Sequence, residues 1–69
     1  MKYVVVNIGC IECGVSSDIV GCFETKEEAE STSQKLNENK DARWRNGGQN
    51  SYETFELKNE INPEYKAFL

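Results

Sequence analysis

The distribution of apolar and polar positions changes period twice along the chain. Lys2-Tyr3-Val4-Val5-Val6-Asn7-Ile8 is β-branched and aromatic, which predicts a strand with Val4, Val6 and Ile8 on one face and Tyr3, Val5 and Asn7 on the other. Gly9, Gly14, Ser16 and Ser17 mark a loop, and a second strand is expected from Asp18 to Phe23. Ser51-Tyr52-Glu53-Thr54-Phe55-Glu56-Leu57 alternates as a third strand, with Phe55 and Leu57 on one face and Tyr52 and Thr54 on the other. Between these stretches the period becomes helical. Thr25-Lys26-Glu27-Glu28 is a capping box, because the Thr25 hydroxyl can accept from the backbone N–H of Glu28 while Glu27 and Glu28 suit the positive end of the helix dipole. The helix is expected to run to about Asn39, with a thin stripe of Ala29, Thr32, Ser33 and Leu36 toward the sheet. Residues 40–50 read as a polar loop around Gly47-Gly48, and Asn62-Pro63-Glu64 opens a short terminal helical turn that gathers Tyr65, Phe68 and Leu69.

These elements make one α+β domain over residues 1–69: a small antiparallel sheet with one covering helix (β-β-α-β) plus a short C-terminal helix. Simple alternation sorts the sheet into a Val4/Val6/Ile8, Ile19/Phe23, Phe55/Leu57 face and a Tyr3/Val5, Val20/Cys22, Tyr52/Thr54 face. Both are apolar and one helix covers one of them. The other is expected to be covered by the tail helix or, preferably, by a second copy of the chain, since a domain of this size has little core to spare.

Composition narrows the function. With 69 residues, 38% hydrophobic and 29% charged, the chain is globular, and its longest apolar run of valines is far too short for a membrane span. Twelve acids against eight bases give a net charge of −4, which argues against general nucleic-acid binding. Histidine is absent, so Ser-His, Cys-His and His-metal chemistry within one chain are excluded. The acidic run Glu24, Glu27, Glu28 and Glu30 falls in the first turns of a helix and reads as a solvated face.

Ile19 to Glu30, "IVGCFETKEEAE", resembles small uncharacterised β-β-α-β proteins of Gram-positive bacteria and their phages. In those a strand ending "GxF" runs into "TKEEAE" and a helix, and a later aromatic strand ending "FEL" matches Tyr52 to Leu57. The resemblance covers about two thirds of the chain and implies a phage or prophage accessory gene working in the host bacterial cytoplasm, often in host takeover or immune evasion. Several phage counter-defence proteins of this size are sponges that sequester nucleotide immune signals, which extends the implication by analogy.

Two constellations carry chemistry. Cys10-Ile11-Glu12-Cys13-Gly14 has the C-x-x-C-G form of a zinc knuckle, but Cys10 and Cys13 are two ligands short of a tetrahedron and Cys22 lies away on a strand. The preferred reading is a loop with reduced cysteines and no metal, and Cys22 is a small strand residue. The second is Arg43-Trp44-Arg45-Asn46-Gly47-Gly48-Gln49-Asn50-Ser51-Tyr52. It closes the one locally basic stretch, residues 35–45, with four bases (Lys35, Lys40, Arg43, Arg45) against two acids (Glu38, Asp41). Guanidinium forks suit phosphate, an indole or phenol offers a stacking face, Gly47 and Gly48 can bring backbone N–H groups to an oxyanion, and Gln49 and Asn50 can read polar edges. The plainer reading packs Trp44 under the helix end as the largest core anchor and leaves the arginines solvated; it is preferred for Trp44 and balanced for Arg43 and Arg45.

No nucleophile has a visible base and no metal set is complete, so an enzyme is the least favoured class and no cofactor is expected. The favoured function is a sponge: copies of the chain hold an anionic nucleotide-like signal at Arg43, Trp44, Arg45, Gly47, Gly48, Gln49, Asn50 and Tyr52 without cleaving it. The alternative is a plug that docks on a host defence or housekeeping protein through Tyr3, Tyr52, Tyr65, Phe68 and the acidic helix, and a zinc-knuckle protein comes third.

Overall fold

A computed structural model describes residues 2–10, 12 and 14–69. Strand β1 is Lys2–Ile8, β2 is Asp18–Phe23 and β3 is Ser51–Leu57; helix α1 spans Lys26–Glu38 and a short α2 spans Lys40–Arg43. A 3-10 turn follows at Arg45–Gly47 and a 3-10 helix closes the chain at Pro63–Phe68. The sheet has the order β2-β1-β3, with β1 antiparallel to both neighbours. The fold is therefore α+β, with one main helix after two strands, a third strand and a short C-terminal helix, as the periodicity predicts.

Helix α1 lies on the Tyr3, Val5, Asn7 side of the sheet. Val5, Ala29 and Tyr52 form the buried centre, with Tyr3, Phe23, Leu36 and Ala42 packed around it. Thr25 caps the helix by accepting from the Glu28 N–H at 3.2 Å. The thin stripe works because its small hydroxyls bond locally or across the interface. Ser33 donates to the Glu30 carbonyl at 3.0 Å, and Thr54 on β3 donates to the Ser33 hydroxyl at 3.2 Å. Asn37 then closes the outer edge of β3: its Nδ2 donates to the Tyr52 carbonyl at 2.8 Å and its Oδ1 accepts from the Tyr52 N–H at 2.9 Å. An amide side chain thus stands in for a missing neighbour strand.

Two features depart from the sequence pattern. The register between β1 and β2 shifts between Val5, opposite Gly21, and Val6, opposite Ile19, so Val20 is an extra, bulged residue. One inserted residue flips the rest of the strand. Phe23 therefore joins Tyr3 on the helix side, and Cys22 sits opposite Val4 on the bare side, the reverse of simple alternation. The other departure is Asn39. It does end α1 but is extended (φ −88°, ψ 118°), and its Oδ1 accepts from the Ala42 N–H at 3.0 Å. It therefore starts α2, so the expected polar loop is partly helical.

The face away from α1 stays open. Ile8, Ile19, Phe55 and Leu57 on it are 37%, 68%, 47% and 46% exposed. The tail does not cover it. Asn62 caps the terminal 3-10 helix by accepting from the Glu64 N–H at 3.0 Å, yet Ile61, Tyr65, Phe68 and Leu69 all remain exposed. No helix among the described residues is long and apolar enough to cross a membrane.

Candidate functional site

The basic segment sits at the end of the sheet where β1 finishes, β2 begins and β3 begins. It is built outward from Asn50, which is fully buried. The Asn50 N–H donates to the Arg43 carbonyl at 2.7 Å, and its Nδ2 donates to the carbonyls of Arg45 and Gly48, both at 2.9 Å, and of Arg43 at 3.3 Å. Tyr52 adds a second tie, its hydroxyl donating to the Ala42 carbonyl at 2.9 Å. The loop can close this tightly because Asn46 and Gly47 adopt left-handed backbone, with φ of 60° and 79°. Glycine takes that conformation freely and asparagine is among the few residues that tolerate it.

This scaffold sorts the expected contact residues into two groups. Gly48, Asn50 and Tyr52 are buried, and the Gly48 N–H, the Asn50 Nδ2 and the Tyr52 hydroxyl all donate within the loop and α2, while Asn50 Oδ1 is buried without a partner, so these residues shape the surface from behind. The N–H groups of Gly47 and Gly48 already donate to the carbonyls of Trp44 and Arg45, at 3.3 and 3.4 Å. The expected backbone cradle for an oxyanion is therefore committed inside the turn. Arg43, Trp44, Arg45 and Gln49 make up the other group. Trp44 is 57% exposed, which overturns its preferred reading as a buried anchor. The reason is that the space under the end of α1 is taken by Tyr52 and Ala42, and Trp44 falls on the outer side as the cap of α2. Gln49 is exposed, Arg45 is exposed, and Arg43 is half-buried with a buried Nε that meets no hydrogen-bond partner.

Electrostatics tie Arg45 to the sheet. Its Nη2 lies 3.0 Å from Asp18 Oδ2, with both side chains half exposed. Asn7, the cross-strand neighbour of Asp18, and the Arg45 guanidinium hold the Asp18 carboxyl below its ordinary range. Asn7 is fully buried, and although it lies close enough to steady that charge, neither end of its amide reaches hydrogen-bond geometry. Neither Asn7 nor Asp18 was among the expected site residues. The legible signal for Asn7 was a polar residue inside a valine-isoleucine run; Asp18 carried none, because its partner is remote in sequence.

Elsewhere the donor groups are sparse. Cys13, half of the expected cysteine turn, lies outside the described residues. Cys10 is partly buried, and Cys22 presents an exposed thiol on the bare sheet face. Among the described residues no group of three or more Cys, Asp or Glu side chains could hold a metal ion. A groove of about 480 Å³ runs between the end of β3 and the tail, lined by Glu56, Lys58, Glu60, Ile61, Asn62 and Pro63. Its two carboxylates against one ammonium make it a poor place for an anion. Comparison of the chain with models of protein families, with curated proteins and with solved structures finds no match.

Proposed function

We propose that this protein is a non-catalytic binding protein that holds an anionic, ring-bearing small molecule of the nucleotide class on the surface formed by Arg43, Trp44, Arg45 and Gln49. The observation that carries the reading is the outward position of Trp44, 57% exposed between two arginines on a loop pinned from behind by Asn50 and Tyr52. An exposed indole contributes nothing to the core of so small a domain, and a rigidly mounted one loses little entropy when a base stacks on it. Arg43 adds the charge of a half-buried guanidinium whose Nε is turned inward, and Arg45 can exchange its solvent-exposed bond to Asp18 for a phosphate. Gln49 offers both a donor and an acceptor to the ring edge. The chain supplies no nucleophile–base pair among these residues, so the ligand is retained intact. The resemblance to phage and prophage accessory proteins makes an immune signal in the host bacterial cytoplasm the natural cargo, and an assembly of several copies the natural form of a sponge.

The test is thermal unfolding with purine mono- and cyclic nucleotides, together with mass spectrometry of small molecules released by heat from natively purified protein. A ligand present at a hundred times its Kd adds about 2.7 kcal/mol, a rise of at least roughly 10 °C in Tm for a domain of this size. Trp44→Ala and Arg43→Ala should each remove that rise without lowering the Tm of the free protein. A ligand-induced shift that survives both substitutions places the binding elsewhere and refutes the assignment.

A second reading is docking on a host protein. It draws on the tail, where Ile61, Tyr65, Phe68 and Leu69 are exposed together and the Tyr65 and Phe68 rings lie 6.5 Å apart. The wider aromatic surface expected for it shrinks, since Tyr52 is buried and Tyr3 half-buried. Copurification with a stoichiometric host protein, lost on Tyr65→Ser with Phe68→Ser, and no nucleotide-dependent Tm shift would decide for it.

A further inference from the structure

We infer that the bare face of the sheet is an interface between two copies of this chain, joined face to face by a two-fold axis running across the strands. This goes beyond the ligand reading and does not depend on it.

The face can be laid out from the register. Its central row is Cys22, Val4 and Phe55; the row toward one end is Lys2 with Leu57, and toward the other Ile19, Val6 and Glu53, followed by Ile8 and Ser51. Ile8, Ile19, Phe55 and Leu57, at 37%, 68%, 47% and 46% exposure, leave roughly 350 Å² of contiguous apolar surface in the open. A standard interface takes about 800 Å² from each partner, a little over half of it apolar, or about 450 Å². The face therefore supplies most of the apolar area that one side of a stable dimer needs, with half-buried Val6 and the Cys22 thiol filling the gaps between the larger side chains. The tail carries its own apolar groups, Ile61, Tyr65, Phe68 and Leu69, outward to solvent rather than onto this face.

Charge selects the arrangement. The face bears Lys2 at one end, its ammonium in a long, exposed pair with Glu24 at 3.8 Å that it can exchange, and Glu53 on the far side of the central row. Two sheets that stack in aligned fashion keep their strands within about 30° of each other. With a two-fold axis through the Val4 row and across the strands, the Lys2 row of each copy lies over the Val6–Glu53 row of the other. Each Lys2 then lies over the partner's Val6, one strand spacing of about 4.8 Å from the partner's Glu53 and within reach of that carboxylate, a pair formed twice by symmetry, and the two Phe55 side chains meet at the β3 edge of the central row. The parallel arrangement, with the axis along the strands, sets Lys2 over Lys2 and gains no unlike pair. An isologous contact of this kind closes at two copies. It also leaves the Arg43–Gln49 surfaces, which lie beyond the β1 end opposite Lys2, at the two extremes of the pair.

Sedimentation velocity of the full chain from about 1 to 500 µM is the test, with a dimer of Kd on the order of 1–10 µM expected. Phe55→Lys and Ile19→Lys should each raise that Kd at least ~30-fold while far-UV circular dichroism stays unchanged. Both side chains are already exposed, so if one variant misfolds the other still reads the interface. Glu53→Lys should raise the Kd about three- to tenfold, and Lys2→Glu with Glu53→Lys should bring it back to within about twofold. A wild-type chain that stays monomeric at the highest concentration overturns the inference. So does a dimer indifferent to both apolar substitutions, or one lost instead on Tyr65→Ser with Phe68→Ser, which would make the tail the interface. Absence of rescue by the charge exchange overturns the two-fold arrangement.

Discussion

Asn50 is the residue on which the geometry of the basic loop turns, and its removal makes a quantitative prediction. In Asn50→Ala the loop loses the donor that reaches the carbonyls of Arg43, Arg45 and Gly48 at 3.3, 2.9 and 2.9 Å. Two short bonds and one long one, each worth about 0.5–1.5 kcal/mol net, are lost, and buried carbonyls left short of a partner cost more, so the expected loss is about 2–4 kcal/mol. A chain of 69 residues holds only about 4–10 kcal/mol in total. Such a loss lowers Tm by roughly 10–30 °C. Thermal and urea unfolding followed by far-UV circular dichroism measures it; Trp44 is too exposed to report the core. Asn50→Asp sharpens the test through pH. A carboxylate in this place faces three carbonyl oxygens with no donor, so burial and those oxygens raise its folded-state pKa above the unfolded value. Protonation restores a donor. The variant should therefore be less stable than Asn50→Ala at neutral pH and regain stability as pH falls through its raised pKa, the opposite of wild type. An Asn50→Ala protein within about 0.5 kcal/mol of wild type would refute the claim that this amide holds the loop.

Three further outcomes follow from the same site. Asn7→Leu replaces a fully buried amide that meets no partner in hydrogen-bond geometry by an apolar group of similar size, and should stabilise the fold by about 1–2 kcal/mol in urea titration at a pH low enough to protonate Asp18, with a smaller gain at neutral pH because the Asp18 carboxylate loses the pull of Asn7; a loss of stability at low pH would mean the amide is satisfied. Tyr52→Phe should cost about 1 kcal/mol by removing the 2.9 Å bond to the Ala42 carbonyl, and should weaken nucleotide binding although Tyr52 touches no ligand; unchanged affinity would show that α2 needs no such tie. Asp18 has a folded-state pKa lowered from 3.8 by Asn7 and then Arg45. Its ionised form therefore adds stability that is present above its unfolded pKa and is lost as pH falls through the lower folded value, a dependence that Asp18→Asn should flatten in unfolding measured from about pH 5 down to pH 2.

The cysteine turn and the basic segment illustrate how far composition reaches. Arg43, Trp44 and Arg45 stand out in the sequence because they are the one cationic stretch of an acidic chain, and that property does not depend on the fold. Which of their neighbours faces outward is a different kind of fact. Asn50 and Gln49 look equally suited to reading a ligand edge, and only the closing of the loop turns one inward and the other to solvent. Asp18 acquires its partner Arg45 through the meeting of β2 with the loop before β3, a contact between segments far apart in the chain.

The sequence alone determines the strands, the start of α1 at Thr25, the cap at Asn62 and the split of β3 into Tyr52/Thr54 and Phe55/Leu57 faces. Those features rest on interactions between residues at most four apart, which spacing records directly. Tertiary structure alone decides the bulge at Val20 that moves Phe23 into the core and Cys22 out of it, the choice of Tyr52 over Trp44 as the side chain beneath α2, and the bare Phe55 face. Each of these is a competition for space among segments distant in sequence, and local pattern carries no information about which competitor arrives there first.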